Sequence, residues 1–209
     1  MGFSFTPKEV TCFTYIQEHG EKNSEAAAIL YQVMTGKVEA RAALAQVNKL
    51  AEEAHQLVLA TTGRLEKTFI TSMDREDIQH IMDGFDVWME TVRRTTEAYC
   101  IYALEDSHDG VVTMLQLLLE AAKIMETTSA YIHDLRNHTE ELAAQGKRIQ
   151  AISHDSVTTY HEEMNRLCGV DGAAGHILKW QEVLQGIVRT IDAACEIVST
   201  FRKVALKYA

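Results

Sequence analysis

Two carboxylate pairs stand out by their spacing, Asp86 with Glu90 and Asp192 with Glu196. On a helix, residues four apart lie one above the other on the same face. Two carboxylates so placed repel, and a divalent or ferric cation is one relief, because hard cations take carboxylate oxygens. In each pair the first acid directly follows an apolar residue, Phe85 or Ile191, which puts both pairs on the rim of an apolar stripe. A solvated helix face is the plainer reading of a single pair; the matched placement of two pairs weakens it. His55 is a further candidate ligand, three residues after Glu52. Glu-x-x-His is half the ligand set of carboxylate-bridged di-iron bundles, which need a second copy and two more glutamates. The chain has no second copy, and Asp134 with His138 or Asp155 with His161 are poor substitutes. No His-Glu-x-x-His zinc motif, phosphate-cradling loop or Gly-x-Ser-x-Gly elbow is present.

Long helices must position these groups. Thr6-Pro7-Lys8-Glu9 reads as a helix start, and the first helix should run to Met34 with Gly36 as its stop. A second helix is predicted over 38–69, its stripe being Leu44, Val47, Ala51, Ala54, Val58 and Leu65. Asp74 caps a third, with Glu76 and Asp77 in its first turn, where carboxylates favour the positive end of the dipole. Ile78, Ile81, Phe85, Trp88 and Val92 then recur at three- and four-residue steps, a heptad-like bundle face. A fourth helix is expected to end near Leu135. Asn137 looks like the cap of a fifth, running to about Leu167 on a thinner stripe that includes Ile149, Val157 and Met164. A sixth helix, capped by Asp171, carries an unbroken stripe from Ile177 to Ala205 and would be roughly 55 Å long. The fold class is therefore all-α: an elongated bundle of six long helices, a single domain over 1–209 built from two similar three-helix units, 1–104 and 105–209. The two carboxylate pairs fall on the third and sixth helices, in equivalent places.

Composition bounds the function. The chain has 209 residues, 46% of them apolar, one Pro, and a net charge of −10. That balance argues against a nucleic-acid partner, which needs clustered Lys and Arg, and against simple adhesion to anionic lipid. Cysteines 12, 100, 168 and 195 show no Cys-x-x-Cys spacing and read as buried free thiols in a reducing cytosol. There is no apolar run of about 18 residues and no signal-peptide pattern at the start. Met1-Gly2-Phe-Ser-Phe-Thr6 formally matches a myristoylation pattern, but helix capping explains Thr6 better.

Between the second and third helices lies Phe69-Ile-Thr-Ser-Met-Asp-Arg-Glu-Asp-Ile78. This run, with Phe85-Asp86 and Glu90 after it, resembles the signature of the PhoU-like proteins that accompany Pit-type phosphate transporters, in which Pro usually stands where Ser72 does. The resemblance implies two similar three-helix bundles and acid-x-x-x-acid motifs that hold metal clusters. The third and sixth helices keep that motif. In the second helix the implied acids fall on Ala51 and His55, in the fifth near Ser153 and Val157, and one turn before Asp192 stands Val188. A reduced site of His55, Asp86 and Glu90 is what the pattern leaves. The resemblance further implies a non-catalytic regulator or accessory protein of inorganic phosphate transport. It would be cytoplasmic, peripheral at the inner face of the membrane, bound to a Pit-type transporter and homodimeric. Capping explains Glu76 and Asp77 but not Arg75, so Arg75, Glu76 and Asp77 are the candidate partner-binding residues. The alternative is a carboxylate-bridged metal-binding bundle, either a di-iron-like enzyme or a metal store.

Overall fold

A computed structural model describes residues 7–67, 73–104, 108–169 and 174–208. They form α1 (Pro7–Met34), α2 (Ala40–Leu65), α3 (Arg75–Tyr102), α4 (Asp109–Ala130), a 3-10 corner (Tyr131–His138), α5 (Thr139–Gly169) and α6 (Ala174–Tyr208). The all-α class holds, and no strand occurs among the described residues. The helix count differs from expectation in one respect. α4, the corner and α5 follow one another without a break, so the six α-helices form five uninterrupted helical runs.

Local chemistry explains most of the boundaries. Gly36, at φ +70°, ends α1 as expected, its N–H donating to the Val33 carbonyl while the Lys37 N–H reaches Gln32. Asp74 caps α3, accepting the Glu76 N–H at 3.2 Å. The caps read at Thr6 and Asp171, and the run 69–72, lie outside the described residues. Asn137 is not a cap. Its amide donates to both oxygens of Asp134 at 2.8 and 3.0 Å, bracing a bend where Asp134 leaves helical geometry (φ −153°, ψ 54°).

The packing is simple. α1, α2 and α3 pack on one another, as do α4, α5 and α6, while α1 also meets α4 and α3 meets α6. α2 and α5 are thus outer helices with no contact between them. α3 and α6 run antiparallel: Lys207, near the end of α6, bonds Asp77 at the start of α3 at 2.7 Å, and Tyr102 at the end of α3 donates to Glu182. Gly84 faces Ile197 and Gly186 faces Thr95 across this pair, and a Cβ on Gly186 would stand 2.9 Å from Thr95 Cγ2. The missing side chains let the two backbones close in. Phe85 and Phe201 meet edge to face at 6.1 Å between them.

The predicted stripes of α3 and α6 are buried nearly throughout; Ile177, at the first turn of α6, is half-buried. Two other stripes are shifted. In α2 the buried row is Ala43, Val47, Leu50, Ala54, Val58, Thr61 and Leu65, with Leu44 and Ala51 only half-buried. In α5, Val157 is exposed and Met164 half-buried, and the buried positions beside them are Ser156 and Glu163. Glu163 is buried because it lies against Gly110 in the first turn of α4, where a carboxylate is favoured, and pairs with Arg166 at 2.5 Å. The thiols also differ from expectation: Cys12 is buried, Cys100 and Cys195 are half-buried, and Cys168 is exposed.

Inside the bundle, His19 of α1 is fully buried beside Phe85, 5.6 Å between ring centroids, and neither ring nitrogen has a protein partner. Burial pushes its pKa down to about 4, with smaller opposing effects from the polar groups around it, Asn23 and Asp86 among them. The imidazole is therefore neutral when folded and binds a proton more readily when unfolded. Its effect on stability is absent above pH 6.5, grows as a penalty as pH falls, and is complete below about pH 4. The full span is about 3 kcal/mol. Urea denaturation from pH 7 to pH 4 should show this loss, and His19→Leu should flatten that part of the slope.

Candidate functional site

The first rim site is a polar cleft of about 510 Å³ between α2 and α3, lined by Asn48, Glu52, His55, Asp86, Glu90, Arg93 and Arg94 among others. His55 Nδ1 lies 3.2 Å from Asp86 Oδ2, so the residues read as a reduced metal site do converge. The third member, Glu90, is otherwise engaged. Arg93 donates to it through Nε (2.7 Å) and Nη2 (2.9 Å), and Arg94 through Nε (2.6 Å). Arg93 extends to Glu97 at 3.2 Å and to Asn48 at 3.5 Å. The Arg93 guanidinium, followed by Arg94, holds the Glu90 carboxyl down at about 2 against the opposing effect of burial.

This corrects the reading of Asp86 and Glu90 as a repelling pair that a bound cation would relieve. Arg93 and Arg94 stand three and four residues after Glu90, the spacing at which helical ion pairs form. The signal was present in the sequence and was missed.

The second pair does not act as a pair. Asp192 accepts from Ser153 Oγ of α5 at 2.8 Å, whereas Glu196 lines a groove between α6 and α3. Beside them Cys195 Sγ donates to the Ile149 carbonyl at 3.4 Å, and burial pushes the thiol up to about 11, well away from a reactive thiolate. His55–Asp86 and Ser153–Asp192 do occupy matching places, each joining the outer helix of one unit to its α3 or α6 neighbour.

Among the described residues, no three His, Cys, Asp or Glu side chains are brought together as a metal would need. The donor chemistry agrees with that. Ala51 and Val188 supply no oxygen, and Glu90 would have to leave two guanidiniums to serve a cation. The residues present do not fit the metal cluster that the family resemblance implies. They do not fit a di-iron set either, since Glu52 accepts from Gln56 at 2.9 Å and has no counterpart.

The proposed partner-binding residues sit at one end of the bundle. Asp77 is committed internally, accepting from Lys207 (2.7 Å) and from the Tyr208 hydroxyl (3.1 Å). Arg75, itself exposed, donates to the Leu65 carbonyl at 3.4 Å, and Glu76 is exposed. No helix among the described residues is long and apolar enough to cross a membrane.

No protein-family model matches the chain. A curated relative, "Putative pit accessory protein" of Rhizobium meliloti (strain 1021), is 19% identical over 168 residues, covering 80% of this chain and 78% of the relative. Two solved structures from Shewanella oneidensis MR-1 share the fold. One is described as a PhoU-like protein (TM-score 0.77, 13% identity), the other as a "putative PhoU-like phosphate regulatory protein" (TM-score 0.75, 14% identity). Each alignment covers 94% of this chain and 99% of the other. The resemblance read from the sequence is thereby borne out: the fold is PhoU-like, and the curated relative carries the Pit accessory name.

The guanidinium clamp can be tested by titration. The Glu90 carboxyl, followed by carbon NMR, is expected to titrate near 2, and in Arg93→Met it should move up toward the ordinary 4.5. The clamp's contribution to stability is present above pH 4.5 and is lost as pH falls toward 2. Because both side chains are partly exposed, it is that of a surface pair, about 0–1 kcal/mol. Chelator should leave both the titration and the thermal midpoint of the wild-type protein unchanged.

Proposed function

We propose that this protein is an accessory regulator of inorganic phosphate transport that acts by binding a phosphate transporter from the cytosolic side of the membrane. The observation that carries the reading is the agreement of two independent likenesses, a PhoU-like fold over nearly the whole chain and a sequence relative named for a Pit accessory role. The physical character of the chain supports it. A bundle with helices of 22 to 35 residues presents long, rigid polar faces and a shaped end, which suits docking better than turnover. Among the described residues the perturbed groups are held in structural roles: the half-buried thiols of Cys100 and Cys195 are raised by burial, and the most perturbed carboxylate, Glu90, is clamped by arginine.

We read the chain as one domain of two three-helix units, with the end carrying Arg75 and Glu76 as the docking surface. Asp77 supports that surface by fixing the start of α3 to the end of α6. Regulation through a bound metal is not part of this proposal, because Asp86, Glu90 and Asp192 are already paired or bonded within the chain and Glu196 lines a separate groove.

Co-purification from native membranes, with tagged protein as bait and mass spectrometry as readout, tests the reading. A phosphate permease should be recovered with the wild-type bait and reduced severalfold by Arg75→Ala with Glu76→Lys. Failure to recover any transporter with a folded, abundant bait overturns the proposal.

A further inference from the structure

Beyond the rim cleft, the surface seam between α3 and α6 carries two more clefts end to end. One, of about 370 Å³, is lined by Thr91, Arg94, Thr95, Ala98, Glu182 and Arg189. The other, of about 260 Å³ and mainly apolar, is lined by His80, Asp83, Gly84, Val87, Glu196 and Ile197 among others. The first holds two guanidiniums and one carboxylate, and that carboxylate, Glu182, accepts from Tyr102. The second holds two carboxylates and His80. Arg189 and Glu196 are exposed, and neither side chain has an ion pair or hydrogen-bond partner among the described residues. Arg94 spends its Nε on Glu90, and Asp83 spends one oxygen on Gln79.

The charges follow a symmetric plan. Gly84 faces Ile197 and Thr95 faces Gly186, which sets the register of the seam. In that register the point midway between Asp83 and Arg94 on α3 lies level with the point midway between Arg189 and Glu196 on α6. A single two-fold axis, crossing the seam at right angles in the plane of this face, therefore does two things at once. It sets Arg94 of one chain opposite Asp83 of a second copy, and Arg189 opposite Glu196. Between the charges the face is apolar and open. Val87 is 60% exposed and lies close to the axis, with Ala193 beside it on α6. The stretch from His80 to Glu97, which this axis maps onto itself, is about 25 Å long and two helices wide. That makes a patch of roughly 500 Å², at the small end of what one partner contributes to a specific interface.

We propose that the α3–α6 seam is the interface of an isologous homodimer, held by reciprocal Arg94–Asp83 and Arg189–Glu196 contacts around an apolar centre at Val87. An isologous contact requires a patch complementary to itself, and this seam has that property in both charge and register. The proposal is independent of the transporter reading, because it needs only the purified chain.

Sedimentation or light scattering over a concentration series up to about 100 μM tests it, a range suited to an interface of this size. Wild-type protein should show a reversible monomer–dimer equilibrium that weakens with salt. Arg189→Glu alone and Glu196→Arg alone should each be monomeric, since each sets like charges face to face. An equimolar mixture of the two should recover the dimer, because both reciprocal contacts are then opposite in sign. Arg189→Gln removes the charge without reversing it and should weaken dimerisation at least tenfold while leaving the helical circular dichroism unchanged. A wild-type chain monomeric throughout the series, dimers indifferent to either reversal, or a mixture that stays monomeric would each overturn the proposal.

Discussion

The antiparallel contact of α3 with α6 is the constraint on which the rest of the molecule depends. Each helix carries a continuous buried stripe, and glycine on either side lets the two backbones close in, at Gly84 against Ile197 and at Gly186 against Thr95. Large side chains buried on this pair, Phe85, Trp88, Trp180 and Phe201, each contribute about 1.5–3 kcal/mol of transfer free energy. Polar ties close both ends, Lys207 and Tyr208 onto Asp74 and Asp77, and Tyr102 onto Glu182. α2 then packs on α3 and α5 on α6, so each outer helix takes its position from the central pair.

That arrangement also decides what the rim carboxylates can do. A family motif built for cations needs several oxygens from adjacent helices aimed at one point. Here α2 offers Ala51 and His55, α5 offers Ser153, and α3 offers its own arginines. Arg93 and Arg94 supply the positive charge that a bound cation would otherwise bring to Glu90. The interaction is local, i to i+3 and i to i+4, so it forms whenever α3 forms. On the regulatory reading proposed above, this rim meets partners through shape and fixed charge.

Much of the fold was legible in the sequence because α3 and α6 bury a full stripe at strict three–four spacing, a pattern that only a helix face produces. The Gly36 stop and the Asp74 cap were legible for local reasons, a positive φ and a side-chain acceptor. Where the outer helices are buried along one narrow side, the stripe is thin and its phase is easily misread. That is how the spacing points to Val157 and Met164 as core although Ser156 and Glu163 hold those positions. Burial of Glu163 could not be read from α5 alone, because its reason is the first turn of α4 across the bundle. The corner at Asp134 was hidden too, since a 3-10 segment keeps helical composition while breaking helical phase. At the site, the nearness of His55 to Asp86 was implied by the family resemblance, whereas the divergence of Asp192 and Glu196 toward different neighbours depended on tertiary packing.

The functional account stands or falls on phosphate traffic in the cell. The most direct measurement is uptake of radiolabelled phosphate by cells lacking this gene, compared with the same cells carrying the wild-type copy, under both scarce and abundant phosphate. The account predicts an altered rate or altered response to phosphate supply in the deletion, restored by the wild-type gene. Uptake and regulation that are the same with and without the gene, under both conditions, would contradict it.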